Sequence, residues 1–255
     1  MGNSKSRPSP LDTPGYLRTV EIDCDRVESF DIYPFDIPAV RHLGRFTFDP
    51  HVTFFVGENG SGKSTLVEAI ALAAGFNAEG GSKNHMFATN RTESSLHDVM
   101  TIGRGWRREK DGFFLRAESF YNVATQVDEL GYLEAYGGKS LHQQSHGESF
   151  IALVSNKFRG RGVYILDEPE AALSPSRQLA LLALIDDLVR HKESQFVIAT
   201  HSPILLAYPH STIYGLDADG IAPIKYEDTE HYKVTRDFLT NRGAYLRHLM
   251  DQSQY

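Results

Sequence analysis

The sequence Gly57-Glu58-Asn59-Gly60-Ser61-Gly62-Lys63-Ser64-Thr65 decides the fold of this chain. Its pattern is a glycine, four residues, a second glycine, a lysine and a serine, which is the spacing of a phosphate-binding loop. The preceding run, 52–56, is β-branched and aromatic and predicts a buried strand. Apolar residues recur at helical spacing after the loop, at Leu66 and Ile70, and predict a helix. Strand, glycine-rich loop and helix is the arrangement that the motif requires.

The chemistry predicted for this loop is the capture of a polyphosphate. Glycines allow successive backbone N–H groups to point inward, and the following helix adds the positive end of its dipole. Lys63 is expected to neutralise the β- and γ-phosphates of a nucleotide, and the Ser64 hydroxyl is expected to bind Mg²⁺. All the residues from Gly57 to Thr65 are therefore candidate nucleotide-binding residues.

Length and composition limit the class of protein. The chain has 255 residues, enough for one large α/β domain or two small ones. Its net charge of −7 argues against a globally basic nucleic-acid binder, although a local basic groove stays open. The single cysteine, Cys24, fits a reducing cytoplasm. No apolar run approaches about 20 residues and no signal peptide is recognisable, so neither a membrane segment nor secretion is expected.

The regions around the loop predict further elements. Residues 1–14 are rich in proline and serine and are predicted to be a disordered tail, followed by a single domain over 15–255. Two strands are predicted before the loop strand, at 16–27 and 45–48, and suggest a small antiparallel layer beside the main sheet. The segment 35–42 follows Pro34 and contains Pro38, and it is predicted to be a loop.

Two aromatic residues leave alternatives open. Tyr33 either stacks on an adenine ring or packs as an ordinary core tyrosine, and packing is the favoured reading. Trp106 lies in the basic, glycine-bounded stretch 103–112. That stretch either contacts a phosphate backbone or an acidic partner, or forms a solvated hairpin tip. The segment 97–102 before it is predicted to be helical, and 113–120 is predicted to be a strand with charges on one side.

Adjacent carboxylates end another predicted buried strand, at 162–167. Asp167 sits at the carboxyl edge, where α/β sheets place their ligands, and is a candidate Mg²⁺ ligand. Glu168 points elsewhere on the alternating backbone and is a candidate for polarising an attacking water. Glu170 is expected on the surface. His201 follows the next predicted strand, 195–200, and from that edge it can reach a γ-phosphate.

A second anion-binding helix terminus is predicted at 145–148, where a small polar residue and a glycine open a helix. Taken alone, an ordinary helix cap is the default reading of this segment. Another helix should begin at Ser174 and Pro175 and run to about Arg190. A hairpin over 213–226 and one or two helices over 229–250 are predicted to complete the chain.

In this order, the motifs resemble those of the ATP-binding-cassette (ABC) ATPase superfamily over about residues 45–216. The match rests on Phe-Phe-Val-Gly-Glu-Asn-Gly-Ser-Gly-Lys-Ser-Thr, Arg-Ala-Glu-Ser-Phe and Leu-Asp-Glu-Pro-Glu-Ala-Ala-Leu-Ser-Pro. In detail the chain is similar to single-domain bacterial AAA-family ATPases and to the ATPase heads of repair, chromosome-organising and OLD-type nuclease proteins. The resemblance implies an α/β P-loop NTPase fold. It also implies a mostly parallel central sheet, an added N-terminal antiparallel layer and a helical subdomain inserted at about 76–160.

The resemblance also assigns roles to residues. The signature sequence falls on Ser145, Gly147 and Glu148, with His146 in place of a usual glycine. The D-loop falls on 172–174, and His201 becomes the switch histidine. The family's Q-loop glutamine has two candidates here, Glu118 and Gln126.

In this family ATP is sandwiched between the P-loop of one subunit and the signature of the other, so the resemblance implies an ATP-dependent homodimer. The predicted function is Mg²⁺-dependent ATP hydrolysis by a cytoplasmic switch that acts on DNA or a partner protein, such as a nuclease, in repair or defence. The alternative is the nucleotide-binding subunit of an ABC transporter. Asp-Glu-Pro-Glu at 167–170, where transporters usually have Asp-Glu-Pro-Thr, argues against that alternative. Glu168 argues against a third reading, a binding module without turnover.

Overall fold

The computed structural model describes residues 15–78, 80–82, 94–117 and 146–251. Within these ranges the strands are β1 (Leu17–Ile22), β2 (Arg45–Thr47), β3 (Val52–Gly57), β4 (Gly81–Ser82), β5 (Met100–Arg104), β6 (Asp111–Arg116), β7 (Gly162–Asp167), β8 (Gln195–Ala199), β9 (Ser211–Asp217) and β10 (Gly220–Pro223). The α-helices are α1 (Pro38–Arg41), α2 (Lys63–Ala73), α3 (His146–Lys157), α4 (Pro175–Lys192), α5 (Pro203–Leu206), α6 (Glu230–Thr240) and α7 (Arg242–Asp251). Short 3₁₀ helices span Cys24–Arg26, Ser95–Val99, Pro169–Ala172 and Tyr226–Asp228.

The main sheet has the strand order β10-β9-β3-β8-β7-β6-β4. Strands β9, β3, β8, β7 and β6 are parallel, and the edge strands β10 and β4 are antiparallel to their neighbours. The residues of β7 and β8 are all buried, as expected for parallel strands covered on both faces. The predicted α/β fold with a mostly parallel central sheet is therefore confirmed.

A hydrophobic core lies on each face of this sheet, because successive side chains of a strand point to opposite sides. Phe55 of β3 joins the core that contains Leu66 and Ile70 of α2. Its neighbour Phe54 joins the other core, which contains side chains of α3 and α4. Helix α2 is thus packed directly behind the loop that ends β3. In the described ranges, no helix is long and apolar enough to cross a membrane.

The small antiparallel sheet has the order β2-β1-β5, so the predicted N-terminal layer is confirmed and gains a third strand. That strand corrects the helix predicted at 97–102, which is a 3₁₀ turn, Ser95–Val99, followed by β5. Val20 of β1 lies opposite Ile102 of β5. A partner about 80 residues away in sequence decides the structure of this segment, and a local pattern does not reveal such a partner.

Two other predicted segments differ in detail. Residues 38–41 form helix α1 where a loop was expected, because Pro38 occupies the first helical turn, where its missing N–H is not needed. The range predicted as a helical insertion, 76–160, also supplies β4, β5 and β6, and β6 is part of the main sheet. The predictions for residues 1–14, Glu118, Gln126 and Ser145 lie outside the described residues.

Gln195 fastens the small sheet to the main one. Its side chain is fully buried at the start of β8. Its Oε1 accepts the N–H of Leu17 at 2.8 Å, and its Nε2 donates to the carbonyls of Leu17 at 2.9 Å and Asp49 at 2.8 Å. One amide therefore satisfies three buried backbone groups from two different segments.

Replacing Gln195 with Met should lower the free energy of unfolding by about 2–4 kcal/mol, because Met fills a similar volume but leaves three backbone groups unpaired. Urea denaturation would measure the change. Asn156→Ala is the matched control, since it removes an exposed amide that bonds only within its own helix, and it should cost less than about 0.5 kcal/mol. Equal stability of the Gln195→Met variant and the wild type would contradict the role of this side chain.

Candidate functional site

The loop between β3 and α2 carries the residues predicted to bind phosphate, and two of its glycines occupy positions that other residues resist. Gly62 precedes the first residue of α2 with a φ of 92°, a left-handed conformation that side chains resist. Gly57 ends β3 so close to the neighbouring strand that an added Cβ would lie 2.4 Å from the carbonyl oxygen of Leu216. The Ser61 hydroxyl is buried, and no described residue offers it a hydrogen bond. The Ser61 hydroxyl is thus a buried polar group that is available to a ligand in this loop.

Lys63 is buried at the first position of α2, with 4% of its surface exposed. Its Nζ donates to the carbonyl oxygens of Gly57 at 2.9 Å and Glu58 at 3.0 Å. Burial lowers the pKa of Lys63, and the nearby carboxylates of Glu168 and Asp167 oppose that shift. The ammonium group is thus held inside the loop and faces the carboxylates that end β7.

Asp167 meets the serine of the loop across the sheet. The Ser64 hydroxyl donates to Asp167 Oδ1 at 3.1 Å, although the two residues are 103 positions apart. Arg116, at the end of β6, lies opposite Asp167 in the parallel register, with its Nε 3.6 Å from Asp167 Oδ2. The Arg116 guanidinium also donates to Glu68 of α2 at 2.6 Å. Arg116 is a site residue that the sequence analysis did not single out, although it lies on the charged side predicted for 113–120.

Glu168 turns away from the strand because its backbone is left-handed, with φ 50° and ψ 51°. A non-glycine residue in this conformation costs about 1–2 kcal/mol. The turn is held by the hydrogen bond from the Glu168 N–H to the Ala199 carbonyl, at 2.9 Å. Glu168 Oε1 lies 3.3 Å from Nε2 of His201, which follows β8. The two predicted catalytic side chains are therefore neighbours.

Glu170 corrects a prediction, because it is partly buried and not on the surface. Its Oε1 accepts the backbone N–H of His201 at 2.5 Å. Burial raises the pKa of Glu170. The second glutamate of the Asp-Glu-Pro-Glu sequence therefore ties the turn after β7 to the turn after β8.

His201 has a second histidine as its neighbour. Its Nδ1 lies 2.8 Å from Nε2 of His231, in the first turn of α6. Burial lowers the pKa of His201, and the Lys63 cation and His231 lower it further, while Glu168 acts in the opposite direction. Nothing in the local sequence around His231 indicates this contact, since it depends on how the C-terminal helices pack.

Two cavities flank the loop. One, of about 460 Å³, is lined by Lys63, Ser64 and Thr65 together with Tyr33 and the start of α1. The other, also about 460 Å³, lies between residues 56–61, the end of β9 and His231. Tyr33 is 65% exposed, so the prediction that it packs in the core is wrong. Its hydroxyl lies 3.4 Å from the Thr65 hydroxyl.

The predicted signature segment starts helix α3. Gly147 is buried against Arg177 and the carbonyl of Ala172, with no room for a Cβ. Glu148 Oε1 lies 2.9 Å from the Arg177 guanidinium. Among the described residues of 146–148, none lines either cavity beside the P-loop. Within one chain, the structure therefore does not bring this helix terminus to the phosphate-binding loop.

Comparisons with known proteins agree with this geometry. A family model described as "AAA domain" matches residues 28–131. A second, described as "AAA domain, putative AbiEii toxin, Type IV TA system", matches residues 138–207. Both matches support an ABC-type AAA ATPase domain.

The curated proteins and solved structures that resemble this chain include transporter components. The thiamine import ATP-binding protein ThiQ of Haemophilus influenzae is 29% identical over 164 residues, which cover 58% of this chain and 74% of the relative. Its namesake from Histophilus somni is 26% identical over 187 residues, which cover 66% and 84%. A structure of "a putative metal-chelate type ABC transporter" has 16% identity and a TM-score of 0.51, with 88% of each chain covered. That structural likeness shows the fold.

Glu170→Gln should make the stability of the ATPase less sensitive to pH. The raised pKa means that, as the pH climbs above the ordinary value near 4.5, the unfolded chain releases this proton before the folded one does. The wild type should therefore lose stability relative to the E170Q variant from about pH 4.5 upward, until the raised pKa is passed. The amide oxygen of the variant can still accept the His201 N–H.

Urea denaturation of both proteins at several pH values from 4.5 to 8 would measure this difference. The exposed Glu227→Gln is the matched control, and its stability should run parallel to that of the wild type. Parallel curves for E170Q as well would show that the folded environment does not raise the Glu170 pKa.

Proposed function

We propose that this ATPase binds ATP–Mg²⁺ between two copies of the chain, hydrolyses it, and thereby switches the engagement of DNA on and off. The observation that carries the proposal is the contact between Ser64 and Asp167 beside the buried Lys63. It places a hydroxyl, a carboxylate and an ammonium group at one edge of the parallel sheet. A P-loop triphosphate and its metal require this combination.

The donor set fits Mg²⁺. The Ser64 hydroxyl and the Asp167 carboxylate are hard oxygen ligands, and no cluster of three or more His, Cys, Asp or Glu side chains suited to a metal occurs in the described part of the chain. Mg²⁺ is usually held by one or two side chains, with phosphate oxygens and water completing its coordination. Bound there, the ion would neutralise charge on the phosphates. The Lys63 ammonium and the buried Ser61 hydroxyl would bind phosphate oxygens directly.

Glu168 and His201 are assigned to the hydrolysis step. The Glu168 carboxylate lies beyond the metal ligands and can accept a hydrogen bond from the attacking water. The Nε2 of His201 is buried, and no described residue gives it a well-directed hydrogen bond. A γ-phosphate oxygen would satisfy that atom. Both side chains are held on turns that follow parallel strands, so they are oriented before the nucleotide arrives.

A second copy of the chain is needed to complete the site. ATP carries several negative charges, and the P-loop covers them from one side. Helix α3 offers a second helix terminus, with Gly147 and Glu148 in its first turn, packed against the turn that follows Glu168. Two-fold pairing would bring this terminus, together with Ser145, onto the partner's nucleotide and create two identical sites. ATP would then hold the pair together, and hydrolysis would loosen it.

The Glu168→Gln variant should accumulate as an ATP-bound dimer, because it retains the phosphate-binding groups but lacks the base for water attack. Size-exclusion chromatography with light scattering in saturating ATP–Mg²⁺ would measure the mass. Lys63→Ala is the paired control; it should bind no ATP and stay monomeric. A monomeric Glu168→Gln variant that still binds ATP would refute the sandwich and leave nucleotide binding intact.

A basic surface with an exposed aromatic ring supports DNA as the client. Trp106, in the loop between β5 and β6, is 76% exposed, and the Arg107 guanidinium lies over its ring at 5.1 Å. Arg104 and Arg107 are paired with Glu109 and Glu193. Other exposed cations nearby have no ion pair with a described residue; they are Arg108, Lys110 and Arg159. Cations beside an aromatic platform suit a sugar–phosphate backbone with unstacked bases.

Trp106→Ala combined with Arg108→Ala and Lys110→Ala should abolish stimulation of the ATPase by single-stranded DNA and reduce the salt dependence of DNA binding. Basal ATPase activity should be unchanged, because this loop lies about one strand length, roughly 20 Å, from the nucleotide edge. Steady-state ATPase rates with and without DNA, at several salt concentrations, would test this. If the wild type shows neither stimulation nor salt-dependent binding, the client is a protein.

The second candidate function is that of a transporter's nucleotide-binding subunit. Relatives whose printed names are thiamine import ATP-binding proteins support it. The family model that matches residues 138–207 is described as including a toxin of a toxin–antitoxin system, and this description supports a defence-like role instead. Co-purification with the Glu168→Gln protein would separate the two, since that form should retain its client. Recovery of a membrane permease with it would favour the transporter.

A further inference from the structure

The first turn of α6 brings a second imidazole to the predicted switch histidine. His231 Nε2 lies 2.8 Å from His201 Nδ1, and the two rings are tilted by 56° with centroids 4.9 Å apart. His231 also lines the cavity beside residues 56–61. His231 is therefore close both to His201 and to the loop that is predicted to bind phosphate.

This end of α6 is anchored to the loop that carries His201. Thr229, just before α6, is buried with 1% of its surface exposed. The Tyr226 hydroxyl donates to the carbonyl of Pro203, two residues after His201, at 3.0 Å. The rest of α6 has no buried residue. The backbone that carries His231 is therefore fixed next to the loop that carries His201.

The contact constrains where His201 carries its proton. A neutral imidazole has one N–H and one lone pair. Since burial and Lys63 lower the pKa of His201, the neutral form is favoured. If His201 carried its proton on Nδ1, Nε2 would present a lone pair to Glu168 Oε1 at 3.3 Å and to any phosphate oxygen, which is repulsive. If His231 donates its Nε2–H to Nδ1, the His201 proton must lie on Nε2, where it can be donated to an anion.

We propose that His231 is a positioning residue that donates its Nε2–H to Nδ1 of His201 and so keeps the His201 proton on Nε2, the nitrogen that faces Glu168 and the γ-phosphate. The proposal rests on the hydrolytic role given above to His201. It makes the first turn of α6 part of the hydrolysis site. Binding of the nucleotide by the P-loop does not depend on it.

Kinetics of three variants test the proposal. His231→Ala should lower kcat for ATP by about tenfold or more, within the range of positioned proton donors, and leave KM within about twofold. His231→Gln should restore most of the rate, because its Nε2 amide occupies a similar place and can donate to His201 Nδ1. His191 is exposed, so His191→Ala is the matched control, and its kcat and KM for ATP should equal those of the wild type. Unchanged kcat in His231→Ala, or equal losses in the Ala and Gln variants, would overturn the proposal.

Nitrogen-15 NMR of the imidazoles supplies a readout that does not depend on turnover. The His201 signals are assigned by their loss in His201→Gln. In the wild type they should show an unprotonated Nδ1 and a protonated Nε2, and in His231→Ala a measurably larger share of the tautomer with its proton on Nδ1. A wild-type proton on Nδ1 would overturn the proposal even if ATP is hydrolysed. The expected tautomers in a protein that fails to hydrolyse ATP would uphold the positioning by His231 and refute the proposed function.

Discussion

The parallel pairing of β3, β8 and β7 holds the whole site together. Ala199 of β8 lies opposite Phe55 on one side and opposite Asp167 on the other. Just past the strand ends, the Thr200 N–H donates to Phe55 and the Glu168 N–H donates to Ala199. The P-loop, the carboxylate pair and His201 each begin where one of these strands stops. Their separation is therefore set by the spacing of neighbouring strands, about 4.8 Å, and not by flexible loops.

Several charged side chains lie together at this edge of the sheet, which distinguishes it from the hydrophobic cores on the two faces. Lys63 is buried close to Asp167, Glu168 and Glu170, and burial disfavours its charged form while the carboxylates favour it. Arg116 adds a second cation against Asp167. A bound magnesium triphosphate would complement both kinds of charge in this cluster. Its phosphates would interact with the cations, and its Mg²⁺ would interact with the carboxylates. The left-handed backbone at Glu168 costs conformational free energy, and the pairing of the surrounding strands holds the residue in that conformation.

The turns behind the carboxylates connect the site to the rest of the molecule. Glu170 binds the backbone of His201, and His231 binds its side chain. His201 is thus held from two directions, by the turn after β7 and by helix α6. The loop that contains Trp106 leads into the amino-terminal end of β6. The other end of this strand is Arg116, which lies beside Asp167. One strand therefore joins the proposed DNA-binding surface to the nucleotide edge.

The α/β class of the fold could be predicted from the sequence alone, as could the candidate site residues in the loop 57–65, at 167–168 and at His201. These features depend on short segments whose chemistry is local: glycines that permit an unusual backbone, and buried runs that end in polar residues. Four features could not be predicted from the sequence: β5 is a strand, Glu170 is partly buried, Tyr33 is exposed, and His231 contacts His201. Each of these depends on a partner far away in the chain. Strand pairing and side-chain burial depend on the residues that pack against a segment. The periodicity within the segment does not identify those residues.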